Sequence, residues 1–114
     1  MGVLAAGAVV LVAFLFSGLS QAKLRPAVIL ADAGRDDWIL CQVTSNPYSD
    51  TRAIPLCGDD FHVGSLRTTS RVRPGGLFTA NSDLVVGRVG ALKAEVFTRI
   101  VDAVVELIRP TSTR

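Results

Sequence analysis

Two apolar runs decide the fold of this chain: KLRPAVIL at residues 23–30 and WILCQVTS at residues 38–45. Both have the length of a β-strand and carry β-branched residues, so each predicts a strand. Each run also holds a polar group at one end. Arg25 stands before Pro26 where the first begins, and Thr44 stands where the second ends. A permanently charged donor and a hydroxyl on neighbouring strands suit a site that binds a phosphate group.

The size and composition indicate one folded domain. A chain of 114 residues can bury a modest core, and its 49% hydrophobic and 19% charged residues argue against disorder. The net charge of +2 does not by itself indicate a nucleic-acid-binding protein. The distribution of charge says more, because residues 67–88 contain four Arg and a single acid, Asp83. That stretch predicts a local basic patch.

The residue types that bind metals or perform acid–base chemistry are scarce. The cysteines, Cys41 and Cys57, lie far apart without a CxxC motif, and we expect both to be reduced. His62 is the single histidine, so a pair of histidines is excluded, and these spacings do not resemble a zinc site. No dinucleotide-binding, P-loop or nucleophile-elbow motif occurs. We therefore expect no metal and no cofactor.

The amino terminus allows three interpretations, because residues 1–22 contain no charged side chain. Residues 20–22 resemble a small-x-small cleavage site, as in a signal peptide. The run also approaches the length of a membrane anchor. However, no Lys or Arg precedes it, and the run VVLV at residues 9–12 is typical of a strand. We expect a retained strand at residues 9–16 and a cytoplasmic protein, with an export signal or anchor as the alternative.

The remaining pattern predicts further short strands. In the run at residues 38–44, Ile39, Cys41 and Val43 alternate with Leu40, Gln42 and Thr44, and the second set is expected to face away from the core. We expect a loop at residues 58–67 and a turn at Pro74-Gly75-Gly76. The other expected strands are residues 27–31, 53–56, 70–72, 77–79 and 84–89, with Pro55 marking an edge strand.

The periodicity changes to that of a helix at residue 92. An apolar stripe runs through Leu92, Val96, Ile100, Val104 and Leu107. It predicts an amphipathic helix of about four turns that ends before residue 110, a proline. Many short strands followed by one helix predict a mainly β fold, a small and partly open barrel with the C-terminal helix packed on it.

The order and spacing of these segments resemble the MazF/PemK family of toxin endoribonucleases. The resemblance is carried by residues 9–17, 23–30, 39–45, 70–79 and 89–92, each weak alone but fairly specific together. It implies an SH3-like barrel of the MazF/PemK/CcdB toxin type. It also implies a single domain over residues 1–114, with residues 7–108 forming the barrel and helix and residues 1–6 and 109–114 forming tails.

The resemblance also implies an activity and a site. Members are toxins of type II toxin–antitoxin systems that cleave single-stranded mRNA without metal, form homodimers and are neutralised by a cognate antitoxin. The catalytic residues of the family fall on Arg25 and Thr44. We expect four further residues to bind RNA, namely Lys23, Gln42, Ser45 and Arg73. Gln42 could instead be part of a solvated strand face, and Arg73 could instead pair with an acid.

Metal-free RNA cleavage fits these two residues chemically. The ribose 2′-hydroxyl is the nucleophile, and Arg25 can bind two oxygens of the phosphorane, an interaction worth ~3–4 kcal/mol. Thr44 can hydrogen-bond a phosphate oxygen or orient the 2′-hydroxyl. The sequence offers no obvious general base.

The chain departs from the family pattern at its first strand and the loop after it. Positions that are usually Gly-Asp, Pro or acidic here include Ala8, Ala13, Leu15 and Gly18. These changes could weaken RNA binding or mark a decayed copy. The alternatives are therefore a catalytically weakened module that binds an antitoxin or another target, a relative of the gyrase-poisoning toxins, and a small membrane-anchored domain.

Overall fold

A curled antiparallel sheet with one C-terminal helix forms the protein. The structure, a computed structural model, describes residues 4–15, 22–46 and 51–110. Within these residues the seven-stranded sheet has the order β4-β6-β3-β2-β1-β7-β5. The elements are β1 (Ala8–Leu15), β2 (Ala22–Gly34), β3 (Asp37–Thr44), β4 (Ile54–Leu56), β5 (Phe61–Gly64), β6 (Ser70–Asn81), β7 (Val85–Leu92) and α1 (Ala94–Ile108).

The central strands are buried on both faces. Val9 belongs to a core cluster that includes Val96 and Ile100 of α1. Val10, its neighbour, belongs to a second cluster on the opposite face that includes Leu40. Because successive side chains of a strand point to opposite faces, two-sided burial requires an uninterrupted apolar run. This explains the apolar runs in β1, β2 and β3.

The N-terminal apolar run is strand β1, as the sequence predicts. It pairs with β2 on one side and with β7 on the other. Val9, Val10 and Val12 are fully buried. Residues 16–21, which include the cleavage-like sequence before Ala22 and the position Gly18, lie outside the described residues. No helix in the described part of the chain is long and apolar enough to cross a membrane.

The prediction of a turn at Pro74-Gly75-Gly76 is wrong, because β6 runs through these residues as one strand. Its pairing with β3 joins Leu77 to Cys41 and Val72 to Val43. The extra residues between form a bulge opposite Gln42, and a bulge tolerates a proline that lacks an N–H. Pro74 is fully buried there.

Three smaller predictions also need correction. The expected loop at residues 58–67 contains β5, which exists because it pairs with β7. Leu92 ends β7, and the helix begins at Ala94, although the stripe of Val96, Ile100 and Val104 is buried as predicted. Leu40 does not face away from the core but is fully buried in the second cluster. The alternation in the sequence predicts that one face of β3 is buried, whereas both faces are buried in the folded sheet.

Candidate active site

Arg25 and Thr44 line the same groove, which has a volume of about 430 Å³. Their strands pair antiparallel, with Val28 opposite Cys41 and Ala27 opposite Gln42. Arg25 and Thr44 each lie two residues beyond the last of these pairs, Ala27 and Gln42, at the same end of the two strands. Lys23 and Ser45 line the groove as well, so four of the six predicted site residues lie together.

Arg25 is held by a strand that has neighbours on both sides. β2 pairs with β1, where Arg25 lies opposite Val12, and with β3. The side chain is half-buried, and the strand becomes fully buried two residues later at Ala27 and Val28. The backbone of Arg25 therefore stands at the border between the core and the groove, where its guanidinium can meet a ligand without being removed from water.

Thr44 is oriented by a turn at the end of β3. Its Oγ1 accepts a hydrogen bond from the Asn46 backbone N–H at 3.0 Å. A hydroxyl that accepts one hydrogen bond still has its own hydrogen to donate. The side chain is half-buried and follows the buried Val43. The arrangement suits donation to an anionic oxygen in the groove.

Another wall of the groove comes from the segment between β5 and β6 together with the first residue of β6. Ser65, Arg67, Thr68 and Ser70 line it. The Ser70 hydroxyl donates to the carbonyl oxygen of Thr68 at 2.8 Å, which fixes this wall locally. Sequence reasoning missed these residues. The one available signal was the run of four Arg within residues 67–88, to which Arg67 belongs.

The groove has a strongly basic lining. The described residues that line it include Lys23, Arg25 and Arg67, and no Asp or Glu is among these described residues. Cations that converge in a concave space create a positive potential there, where it acts most strongly on a ligand. Such a groove is suited to a polyanion.

Gln42 and Arg73 lie elsewhere. The Arg73 Nη1 donates to Gln42 Oε1 at 3.0 Å, and neither residue lines the groove. The main-chain oxygen of Arg73 accepts a hydrogen bond from Cys41 Sγ at 2.8 Å. The Gln42 amide oxygen is thus one partner of the Arg73 guanidinium. A role of these two residues in RNA binding stays a prediction.

The remaining reactive residues are not brought into the groove. Both cysteines are free, Cys41 buried and Cys57 exposed. Burial raises the pKa of the Cys41 thiol to about 12, although the charge of Arg73 opposes the shift. His62 is exposed on β5, and Trp38 packs against the second core cluster. Within the described ranges no group of three or more His, Cys, Asp and Glu is placed to hold a metal ion.

A curled sheet with this groove and one C-terminal helix defines a class of small toxins, and a family model identifies the class. The chain belongs to the PemK-like, MazF-like toxins of type II toxin–antitoxin systems, whose model matches residues 5–108. A comparison with curated proteins finds no significant match.

Solved structures of similar fold are toxins of the same kind. MazF (Form-I) from Deinococcus radiodurans is 20% identical with a TM-score of 0.73, over 95% of this chain and 98% of that one. A MazE–MazF complex (Form-III) from the same organism is 18% identical with a TM-score of 0.71, over 90% and 94% of the two chains. An endoribonuclease in complex with its cognate antitoxin from a mycobacterial species is 16% identical with a TM-score of 0.69, over 93% and 96%. These likenesses confirm the predicted mainly β fold with a C-terminal helix.

Proposed function

We propose that this protein is the toxin of a type II toxin–antitoxin system and cleaves single-stranded mRNA without a metal ion. The observation that carries the proposal is the convergence of Arg25 and Thr44 with Lys23 and Arg67 in one groove. Family membership supports it. The basic groove is suited to a segment of single-stranded RNA, whose successive phosphates can bind along it.

The chemistry follows from the proposed roles. The ribose 2′-oxygen attacks the phosphorus, the bond to the 5′-oxygen breaks, and the products are a 2′,3′-cyclic phosphate and a 5′-hydroxyl. The planar fork of Arg25 binds two phosphorane oxygens as their charge develops. Thr44 donates to a phosphate oxygen or orients the 2′-hydroxyl, while Lys23 and Arg67 bind flanking phosphates.

The proton transfers are assigned to solvent. Among the described residues that line the groove there is no His, Asp or Glu to serve as a conventional general base. Water in the open groove accepts the 2′-hydroxyl proton and protonates the leaving 5′-oxygen. We therefore expect the rate to come mainly from electrostatic stabilisation and orientation.

We further propose a homodimer, neutralised by a cognate antitoxin, that acts in the cytoplasm, where mRNA is found. Several large apolar side chains are exposed in the monomer, among them Leu84, Val86 and Ile108. Exposed apolar surface of this kind favours association. MazE–MazF and the mycobacterial endoribonuclease with its antitoxin show that proteins of this fold form such complexes.

A direct test uses RNA that is modified at one nucleotide. Purified protein is incubated with an RNA pool in EDTA to find its cleavage site, and the substrate is then remade with a single 2′-deoxynucleotide there. We expect cleavage in EDTA, cyclic-phosphate ends, and no cleavage at the deoxy position. Cleavage that persists at the deoxy position would refute the mechanism. RNA binding without any cleavage would instead support the catalytically weakened module.

A further inference from the structure

The arginine-rich stretch at residues 67–88 contributes to two different surfaces. Arg67 lines the groove, whereas Arg71 and Arg73 belong to β6. β6 is the neighbour of β3 on the side away from β2, the strand that carries Arg25. The two arginines of β6 therefore lie across β3 from Arg25, and Thr44 at the end of β3 lies between.

Burial alternates along the first residues of β6. Ser70 and Val72 are buried, whereas Arg71 is half-buried and Arg73 is exposed. Because successive side chains of a strand point to opposite faces, Arg71 and Arg73 share the outer face of β6. This face carries two positive charges two residues apart.

The pairing of β6 with β3 puts this outer face beside Thr44. Arg71 lies directly opposite Thr44 in the register of the two strands. Side chains of directly opposite residues point to the same face, with Cβ atoms about 4.5–5.5 Å apart. The hydrogen bond from Arg73 Nη1 to Gln42 Oε1 at 3.0 Å shows that arginines of β6 meet side chains of β3 on this face. Arg71 therefore stands next to Thr44, just outside the lining of the groove.

We propose that Arg71 binds the phosphate next to the scissile one, where the RNA leaves the groove past Thr44. The inference rests on the proposed ribonuclease function and deepens it, because it gives the strand a path across the outer face of β6. A chain whose scissile phosphate contacts Thr44 carries its next phosphate beyond β3, where it meets Arg71. The guanidinium is always charged, and its planar fork binds two phosphate oxygens.

The position of Arg71 favours RNA over an acidic peptide as its ligand. The arginines of β6 begin opposite Thr44, the residue proposed to contact the scissile phosphate. A phosphate backbone that is bound at Thr44 continues from there with one negative charge per nucleotide. The outer face of β6 therefore extends a polyanion site that the groove has already begun.

The test removes the charge from one phosphate and from Arg71 in combination. The probes are short RNAs of the cleaved sequence with a 2′-O-methyl group at the cleavage site and an uncharged methylphosphonate at each position in turn. Dissociation constants are measured for the wild type and for Arg71→Gln, which shortens the side chain little and removes its charge. Arg71→Lys keeps the charge, and Arg99→Gln makes the same change at an exposed position of α1. Circular dichroism confirms that each variant is folded.

The expected result is a coupling between Arg71 and one phosphate beside the scissile one. For the wild type, a methylphosphonate at that position weakens binding about five- to tenfold, the effect of one lost hydrogen bond to a charged group. For Arg71→Gln this penalty disappears while the penalties at other positions remain. Arg71→Lys and Arg99→Gln keep it.

Three results would overturn the assignment of Arg71 and leave the ribonuclease proposal standing. The first is the same methylphosphonate profile for the wild type and Arg71→Gln, and the second is a coupling at the scissile phosphate alone. The third is Arg71-dependent binding of poly-glutamate with an unchanged RNA profile, which would assign the arginines to an acidic protein partner. Failure of the wild type to bind RNA at all would overturn both proposals.

Discussion

Arg25 and Thr44 line one groove from adjacent strands, each two residues beyond the last paired residues of β2 and β3, Ala27 and Gln42. Both strands lie in the interior of the sheet, with β1 and β6 on their outer sides. The backbone of each residue is itself paired, Arg25 with Val12 of β1 and Thr44 with Arg71 of β6, so neither side chain is carried by a loop. Placement on rigid elements is what a site needs in order to hold its groups to a fraction of an ångström.

Replacing Thr44 by Val should slow RNA cleavage roughly 10- to 100-fold, the effect of one lost hydrogen bond to a charged group. It should also lower the free energy of unfolding by about 1 kcal/mol or less, because the Asn46 N–H loses its acceptor. Thr44→Ser is the control, since it keeps the hydroxyl. Single-turnover cleavage and urea denaturation measure the two effects. Equal rates for the Val and Ser variants would remove the hydroxyl from the mechanism.

RNA affinity should depend on salt through the groove cations. For single-stranded nucleic acid, a plot of the logarithm of the binding constant against the logarithm of the salt concentration has a slope of about −0.7 for each phosphate contacted. Arg67→Ala should make this slope shallower by about 0.7. Arg99→Ala removes the same charge from an exposed position of α1 outside the groove and should leave the slope unchanged. The measurement is a titration of uncleavable 2′-O-methyl RNA, and identical slopes for the two variants would contradict the assignment of Arg67.

Replacing Gly64 by Ala should destabilise the fold and displace the groove wall. Gly64 has a φ of +74°, and a Cβ there would collide with the main-chain carbonyl oxygen of Val89. The left-handed backbone alone costs about 1–2 kcal/mol for a residue with a side chain. Gly87→Ala is the matched control, because a Cβ at Gly87 meets no atom within 4 Å. Denaturant unfolding should show the loss for Gly64→Ala only, and equal stability of the two variants would contradict it.

The stability of the protein should fall above pH 9 because of Cys41. Burial raises its pKa from 9.0 to about 12 in the folded state. Below pH 9 both states carry the protonated thiol, so this contribution is fully present. Between pH 9 and 12 the unfolded chain ionises and the folded one does not, so the contribution is lost as the pH rises. Urea denaturation at pH 8 and 10.5 should show a larger loss for the wild type than for Cys41→Ala, and parallel losses would contradict the shift.

The long, buried elements of the fold can be predicted from the sequence, whereas the short ones cannot. β1, β2, β3 and α1 were predicted because each has a long apolar pattern that burial enforces. β5 was missed, since Phe61–Gly64 is short, follows turn-forming residues, and is a strand only through its pairing with β7. The bulge in β6 cannot be told from a turn by sequence, because Pro74-Gly75-Gly76 has a composition typical of both and only the partner strand decides between them.

The residues of the candidate site are likewise predictable where they lie on or beside the predicted strands, and not where they come from elsewhere in the chain. Arg25, Thr44, Lys23 and Ser45 were predicted, because they lie on or beside the two strands whose pairing the apolar runs imply. Arg67 and Thr68 come from a distant segment, and no local pattern indicates which strand it approaches. Gly64, just before that segment, pairs closely with β7, and this pairing places the segment beside the groove. The contact joins residues far apart in the sequence, so it is visible only in the folded structure.

The central claim is that Arg25 stabilises the transition state of RNA cleavage. The most direct measurement is the single-turnover cleavage rate of Arg25→Ala beside that of Arg99→Ala, on the same RNA and in EDTA, with circular dichroism on each preparation. We predict that Arg25→Ala loses about 10²- to 10³-fold or more, the scale for removing one such donor, and keeps the native spectrum. Arg99→Ala should cleave at the wild-type rate. A folded Arg25→Ala variant that cleaves as fast as Arg99→Ala would contradict the account.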